Sequence, residues 1–510
     1  MMKQILLSII FVVFAFLPTM AGQPSWSKKA SKAVFTLKTF SADGELLGSC
    51  TGFYVGQHGE AVSSYLPFKN ASRAVVIDES GKEWEVVKIL GANETYDVCK
   101  FCVGVKKSQS VELASQPAAE SDCWVMPYKG AKALLQGAVR KTEKFNTDYS
   151  YYTLFLPKSQ DVVGCPLLNV NGQVVGLMQP KNNDGDTLCY AVSVAFANQL
   201  KTTGLSLNDP VLRAIHIKKA LPEDLNQAQL MLFVASSHDS LTCASVISDF
   251  MSQFPKEPDG YVSRAQQLFA YGHFDEAMQD INKAYELSPQ PNYLYQKGTI
   301  LFAQGKYEDA YDLYQSLFNS PIRSAELFYA ASQCKERLND SIAQLALLDS
   351  CVAQFTRPLL KEAAPYLLAR AQMRLNANRY RDAVIDLNDY EQLMKSQLND
   401  NFYYIRYQAE IGGRLFQQAL NDIDKAIGIA PDNEFYYAEK ASLLVRVGMY
   451  DDAITTAKGL IELQPSYSDG YLFLGLAQCL KGEKAEGIKN LQKAKELGNQ
   501  QADELIKKYQ

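Results

Sequence analysis

The sequence predicts a multidomain chain, with an all-β N-terminal part followed by an all-α C-terminal part. Between about residues 31 and 200, apolar and polar residues alternate with a period of two between turn signals, which is typical of short strands. After residue 200 the apolar period becomes that of helices, and an internal repeat begins. A chain of 510 residues is also too long for a single core, which favours several domains.

Residues 1–21 have the features of a secretory signal peptide. Lys3 precedes the apolar run ILLSIIFVVFAFL, and the small residues Thr19 and Ala21 offer a cleavage site. This run, about thirteen residues long, is too short to cross a bilayer as a helix. We expect an exported protein, periplasmic or extracellular in a bacterium, with no stable membrane insertion after cleavage. An uncleaved anchor and association with the envelope remain open alternatives.

Composition excludes some partners and leaves the cysteines open. A formal net charge of −5 supplies no basic field for nucleic acid or an anionic membrane surface. The chain has ten cysteines, and an exported protein can form disulfides; Cys165 with Cys189 is one conceivable pair. Cys99 and Cys102 form a CxxC within a predicted strand, where residues three apart face opposite ways. No metal, nucleotide or cofactor motif is found, so no cofactor is predicted.

The β part is predicted over residues 22–203, with a linker over 204–221. Its strands are separated by turn signals without intervening helices, which favours a barrel or a sandwich. In chain order the predicted strands are AVFTLKTF, LLGSCTGFYV, EAVSSYL, RAVVIDES, EWEVVKIL, VCKFCVGV, CWVMPY, YYTLFLP, QVVGLM and LCYAVSV.

Several of these stretches resemble the trypsin-like serine proteases of the HtrA type. The segments GSCTGFYVGQHGEAVSSYLPF, ETYDVCKFCV, DVVGCPLLNVNGQVVGL and LCYAVSV occur in the order of that family's motifs. The resemblance implies a trypsin-like double β-barrel. It also assigns the histidine, aspartate and serine positions of the triad to Leu66, Asp97 and Val163, and a glycine of the oxyanion loop to Asp161.

These substitutions predict a barrel without protease activity. Leucine cannot act as a base and valine has no nucleophilic atom, so Asp97 would have no imidazole to orient. The alternative is an active endopeptidase with a non-standard nucleophile, Cys165, which lies two positions after the serine position. If the barrel is inactive, it either docks peptides or covers the end of the helical array.

The helical part, residues 222–510, carries seven to eight units of a repeat. The units align on a small residue with spacings of 33, 33, 40, 36, 34 and 34, at Ala277, Ala310, Ala343, Ala383, Ala419, Ala453 and Gly487. A glycine–x–aromatic–x–x–alanine core recurs at Gly272, Gly305 and Gly448. This pattern resembles the tetratricopeptide repeat (TPR), a helix–turn–helix unit, and implies an all-α solenoid.

Such arrays mediate protein–protein assembly, so the resemblance implies a protein or peptide partner held in a groove. Tyrosines near the starts of the first helices form a candidate aromatic strip, although packing between repeats explains aromatics at helical spacing equally well. The candidate groove residues are Tyr293, Tyr295, Tyr403, Tyr404, Tyr436, Tyr437 and Tyr471. The sequence therefore predicts an exported, non-enzymatic binding or scaffold protein.

Overall fold

The computed structural model describes residues 23–116, 118, 120–128, 133–146, 148–156, 161–180, 188–395 and 397–510. The predicted signal peptide lies outside these residues. The chain forms two compact units, Met1–Arg264 and Ala265–Gln510. Within the described residues, none of the helices has the length and apolar character needed to cross a membrane.

The first unit contains two closed antiparallel barrels of six strands each, which confirms the predicted double barrel. The first barrel has the strand order β1-β2-β3-β6-β5-β4 and consists of β1 (Val34–Phe40), β2 (Leu46–Tyr54), β3 (Glu60–Ser63), β4 (Arg73–Ile77), β5 (Glu83–Asn93) and β6 (Val98–Val103). The second has the order β10-β11-β12-β9-β8-β7 and consists of β7 (Asp122–Val125), β8 (Leu135–Phe145), β9 (Tyr149–Phe155), β10 (Pro166–Leu168), β11 (Val174–Met178) and β12 (Leu188–Ser193).

Alternating side chains of these strands build three apolar clusters. Phe35, Leu37 and Phe101 fill the first barrel, while Leu154 and Leu167 belong to the core of the second. A third cluster joins the barrels through buried residues of both, among them Phe53, Val62, Val98, Leu168 and Leu177. The loops that would carry a protease site are therefore supported on two packed sheets.

The segment 204–221, predicted as a linker, packs on the first barrel. Leu212, Ile215 and Ile217 are buried in that barrel's core cluster. The backbone is fixed as well, because the Ile89 N–H donates to the Lys218 carbonyl at 2.7 Å and the Ala220 N–H donates back to Ile89 at 2.8 Å. The first unit consequently extends to residue 264, about sixty residues beyond the predicted barrel boundary.

The remaining chain is helical, as predicted. Short helices α1 (Ser27–Ser31), α2 (Val194–Gln199) and α3 (Pro210–Arg213) accompany the barrels, and α4 (Leu225–Ala235) packs with α5 (Ser240–Gln253). From α7 onward each helix packs on the next. The helices of the array are α6 (Pro258–Ala270), α7 (Phe274–Leu287), α8 (Pro291–Ala303), α9 (Tyr307–Ser316), α10 (Ala325–Arg337), α11 (Ser341–Val352), α12 (Ala364–Asn376), α13 (Tyr380–Met394), α14 (Asp400–Gly412), α15 (Phe416–Ile429), α16 (Glu434–Arg446), α17 (Tyr450–Leu463), α18 (Ser468–Lys481), α19 (Lys484–Glu496) and α20 (Ala502–Tyr509).

The repeat residues act at the turns and at the helix crossings. Gly272, Gly305 and Gly448 have φ of +80°, +78° and +82°, the left-handed conformation that ends a helix and that glycine adopts without strain. The alanines Ala310 and Ala453 have no exposed surface, as expected where two helices approach closely. The repeat motif is thus explained by backbone conformation and by packing space.

The last repeat replaces this alanine with Gly487, and the structure gives the reason. A Cβ atom at Gly487 would lie 2.7 Å from the Gly475 carbonyl oxygen and 2.5 Å from Cys479 Sγ. Helices α18 and α19 therefore cross more closely than an alanine permits.

We predict that Gly487→Ala, which restores the repeat consensus, destabilises the array by about 1–3 kcal/mol through overpacking. The measurement is urea unfolding of the full chain followed by helical circular dichroism. Gly459→Ala is the control, because a Cβ at this position in α17 meets no atom within 4 Å. The control should stabilise the helix by about 0.5–1 kcal/mol. Equal effects of both variants would contradict the close crossing.

Candidate functional site

Two of the three positions matched to a catalytic triad are in direct contact. Leu66 begins a 3-10 turn (Leu66–Phe68) shortly after β3, and its backbone N–H donates to Asp97 Oδ1 at 2.8 Å. Val163 lies in the loop before β10, and its carbonyl accepts from the Thr51 N–H of β2 at 3.3 Å. Thr51 in turn accepts from the hydroxyl of Ser63 in β3. The three positions therefore lie around β2 and β3, at the junction of the barrels.

Two neighbouring groups donate hydrogen bonds to the carboxylate of Asp97. It accepts from the Ser64 hydroxyl at 2.5 Å and from the Leu66 N–H, while the backbone of Asp97 has a φ of +46°. Burial raises the pKa of Asp97, and these hydrogen bonds act against that rise. The side chain of Leu66 is 63% exposed, so it adds neither a proton acceptor nor core packing.

The loop before β10 places a carboxylate at the amide that a hydrolase needs. The N–H of Val163 donates to Asp161 Oδ1 at 3.2 Å. By the resemblance, this amide holds the position of an oxyanion-hole donor. Gly164 follows with a φ of +75°, and a Cβ there would lie 2.0 Å from the Thr51 carbonyl oxygen. The Asp161 carboxylate thus accepts a hydrogen bond from the amide to which the resemblance assigns an oxyanion-hole role.

Cys165, the alternative nucleophile, is fully buried within the core of the second barrel. Burial raises the pKa of Cys165 to about 12, although a hydrogen bond with Thr51 acts in the opposite direction. The thiol is therefore protonated at neutral pH, and thiols react as thiolates. Cys165 is a free thiol, so the conceivable pair with Cys189 does not form a disulfide.

Three histidines, His58, His216 and His238, belong to the first unit, and His238 contacts Asn208 at 3.1 Å. His58 is exposed in the turn between β2 and β3, where its backbone N–H donates to Glu60. A contact of 3.5 Å joins His216 Nδ1 to the hydroxyl of Ser72, which precedes β4. That distance is at the upper limit for a hydrogen bond, and neither residue belongs to the junction around β2 and β3.

The candidate groove tyrosines have unequal exposure. Tyr293 and Tyr436 are buried, whereas Tyr295, Tyr403, Tyr404, Tyr437 and Tyr471 are half-buried. Tyr295 packs on Tyr314 with ring centroids 5.4 Å apart, and the ring of Tyr403 carries the Lys425 ammonium at 4.9 Å. Packing between helices therefore accounts for several members of the predicted strip.

One aromatic group reaches the surface. Tyr404 of α14 contacts Phe435 and Tyr436 of α16, with ring centroids at 5.2 and 5.6 Å. Phe435 is 39% exposed, and the sequence places it directly before the candidate groove residues Tyr436 and Tyr437.

The array also contains buried ion pairs that the sequence interpretation missed. Arg406 is 4% exposed and donates to Asp422, Glu391 and the Asn388 amide oxygen. In the preceding repeat, Arg370 and Arg374 of α12 pair with the fully buried Asp386 of α13 in a similar manner. Two of these pairs, Arg370–Asp386 and Arg406–Asp422, are separated by sixteen residues in the sequence, which was a detectable signal.

The architecture therefore defines a trypsin-like double barrel joined to tetratricopeptide repeats. Residues 439–502 match the tetratricopeptide repeat family model. The small glutamine-rich tetratricopeptide repeat-containing protein 2 of Saccharomyces cerevisiae is 31% identical over 93 residues, which cover 18% of this chain and 27% of that protein. The Hsp70-Hsp90 organizing protein of Triticum aestivum is 23% identical over 233 residues, 43% of this chain and 37% of that protein.

A third similar protein, DnaJ homolog subfamily C member 3 of Gallus gallus, is 23% identical over 253 residues, which cover 44% of this chain and 49% of that protein. The chain thus spans between about a quarter and a half of the length of these curated relatives. Among solved structures, the active form of the Rv3671c protease from M. tuberculosis aligns with a TM-score of 0.28 and 17% identity, over 32% of this chain and 78% of the protease.

Proposed function

We propose that this protein is an exported, non-enzymatic binding or scaffold protein. In this proposal an inactive trypsin-like double barrel is joined to a repeat array that holds a protein partner. The hydrogen bond from the Val163 N–H to the Asp161 carboxylate carries the proposal. It directs a fixed negative charge at the amide that would otherwise stabilise a developing oxyanion.

The triad positions support the same conclusion. Leu66 cannot accept a proton and Val163 cannot attack a carbonyl carbon, and loss of either function removes nearly all triad catalysis. Asp97 already accepts hydrogen bonds from Ser64 and Leu66, so its orienting role has been replaced by a structural one. The high pKa of the Cys165 thiol argues against the alternative endopeptidase.

The repeats support a protein partner. Repeat arrays present extended surfaces that suit protein binding, and the relatives include proteins named for organizing Hsp70 and Hsp90. For this chain we infer assembly with other proteins through the repeats, without nucleic acid as a partner. The signal-peptide pattern of residues 1–21 supports a bacterial periplasm or cell exterior as the proposed location.

We predict that the mature chain neither cleaves unfolded casein nor reacts with a fluorophosphonate serine probe. A thiol alkylating probe should modify the half-buried Cys102 far faster than the buried Cys165, whose thiolate is scarcely populated at neutral pH. Peptide mass spectrometry of the native and the denatured chain measures both rates. Casein cleavage that is lost in Cys165→Ala but kept in Cys102→Ala would overturn the proposal in favour of the endopeptidase.

A further inference from the structure

One surface of the repeat array combines an exposed phenylalanine ring and the tyrosines packed around it with carboxylates. We call it the α14–α16 platform and define it by the aromatic residues and carboxylates Tyr404, Phe435, Tyr436, Tyr467, Asp400, Glu434, Glu439 and Asp469. We propose that this platform docks a basic segment of a partner protein. The inference rests on the proposed binding function and adds the chemical class of the partner.

The aromatic rings of the platform pack on one another and on a buried tyrosine. Tyr404 stacks on the buried Tyr407 with centroids 5.7 Å apart and an interplanar angle of 25°. Phe435 meets the edge of Tyr404 at 71° and also contacts Tyr436 at 6.0 Å. These contacts fix the exposed ring of Phe435 before any ligand arrives, which lowers the entropic cost of binding.

The buried tyrosines also position two carboxylates. Tyr436 donates its hydroxyl to Asp400 Oδ2 at 2.7 Å, and Tyr407 donates to Glu439 Oε2 at 3.0 Å. Each carboxylate has a second oxygen to offer to a ligand. Burial raises the pKa of Tyr467, and the nearby charges of Asp469, Glu434 and Glu439 raise it further. Tyr467 therefore lies among three of the platform's four carboxylates.

These carboxylates lack cationic partners. Among the described residues, none of Asp400, Glu434, Glu439 and Asp469 forms an ion pair. Neighbouring carboxylates do so, since Asp424 pairs with Lys440 at 2.6 Å and Asp451 pairs with Lys481 at 2.7 Å. Asp469 instead accepts from the neutral amide of Asn499 at 2.6 Å. Around the exposed ring of Phe435, the platform thus presents carboxylates that no ion pair of the described residues neutralises.

A lysine or arginine side chain satisfies both parts of this surface. Its cationic head can pair with a carboxylate while lying over a ring face, and its methylene stem covers apolar surface. The chain uses the same combination internally, where Lys425 lies over the Tyr403 ring and pairs with Asp422. An acidic segment would be repelled, so charge complementarity selects a basic partner.

The test uses the full mature chain and two fluorescein-labelled peptides of twelve residues, one alternating lysine and leucine and the other alternating glutamate and leucine. Fluorescence anisotropy should give a Kd at least about tenfold lower for the lysine peptide, and raising the salt concentration should weaken its binding. Equal affinity for both peptides would overturn the inference.

Variants locate the binding. Glu439→Gln combined with Asp469→Asn keeps the hydrogen-bond acceptors and removes two charges, and should raise the Kd for the lysine peptide about tenfold. Phe435→Ala should do the same through the loss of a ring. Glu308→Gln, an exposed carboxylate of α9, is the matched control and should leave the Kd unchanged. If all three variants bind like the wild type, the platform is not the site.

Recovery of partners from the native envelope separates this inference from the proposed function. Wild-type chain should recover a specific set of proteins, and Glu439→Gln with Asp469→Asn should lose at least one of them. Unchanged recovery by the variant would refute the platform alone. Failure of the wild-type chain to recover any specific protein would refute the binding function itself.

Discussion

Replacement of Arg406 by methionine is expected to destabilise the repeat array by about 3–5 kcal/mol, because it leaves buried carboxylates without their counter-charge. Arg406 is 4% exposed, and its guanidinium lies 2.5 Å from Asp422 and 2.6 Å from Glu391. Methionine has a similar length and apolar character, so the loss of packing volume contributes little. Asp422, which is 3% exposed, would then keep Lys425 as its remaining ion-pair partner among the described residues.

Urea unfolding of the full chain, followed by helical circular dichroism, measures this loss. Arg357→Met is the matched control, because Arg357 also pairs with an aspartate, Asp389, at 2.6 Å but is 69% exposed. Water reaches the guanidinium but Asp389 is only 14% exposed, so a smaller loss than in Arg406→Met is expected. A second substitution, Asp422→Leu, should restore part of the stability by removing the unpaired charge. Equal losses of unfolding free energy in Arg406→Met and Arg357→Met would show that burial does not increase the contribution of the Arg406 ion pairs to stability.

Stability should also fall as the pH rises from about 4 to about 8, because of Glu410. The Glu410 carboxyl is buried, and its Oε2 has no hydrogen-bond partner among the described residues. Arg406 is 4.0 Å away but already engaged by Asp422. Burial, and then the charge of Asp422, raise the pKa of Glu410 to about 8. Arg406 and Lys425 oppose this rise, whereas Glu391 adds to it.

Proton linkage explains why stability falls as the pH rises. An unfolded glutamate has a pKa of about 4.3, so between that pH and about 8 the folded chain holds a proton that the unfolded chain has released. Each pH unit in this window costs at most about 1.4 kcal/mol of unfolding free energy. Glu410→Gln, which mimics the protonated acid, should flatten the slope and be more stable than the wild type above pH 8. A variant that retains the wild-type slope would assign the pH dependence to other groups.

Much of this fold was predictable because local rules decide it. The change of apolar period near residue 200 separates strands from helices, since each element buries one face at its own spacing. Gly272, Gly305 and Gly448 mark helix ends because their left-handed backbone disfavours other residues. Leu66 and Asp97, which the resemblance assigns to two triad positions, are joined by a direct hydrogen bond.

The remaining features depend on contacts that are distant in sequence. The segment 204–221 has few strand or helix signals, and its burial requires the surface of the first barrel. The hydrogen bond from the Val163 amide to Asp161 depends on loop conformation rather than residue type. Which tyrosines pack and which reach the surface is likewise decided by neighbouring helices, as Tyr436 and Phe435 show.

The docking of the segment 204–221 has a practical consequence for cutting the protein into parts. A fragment that ends near residue 200 would lose Leu212, Ile215 and Ile217. The apolar surface of the first barrel that these side chains cover would then be exposed to water. Such a fragment is prone to aggregate, whatever its intrinsic capacity to fold. Limited proteolysis should accordingly spare residues 204–221, and a fragment that keeps the first unit intact should end after this segment.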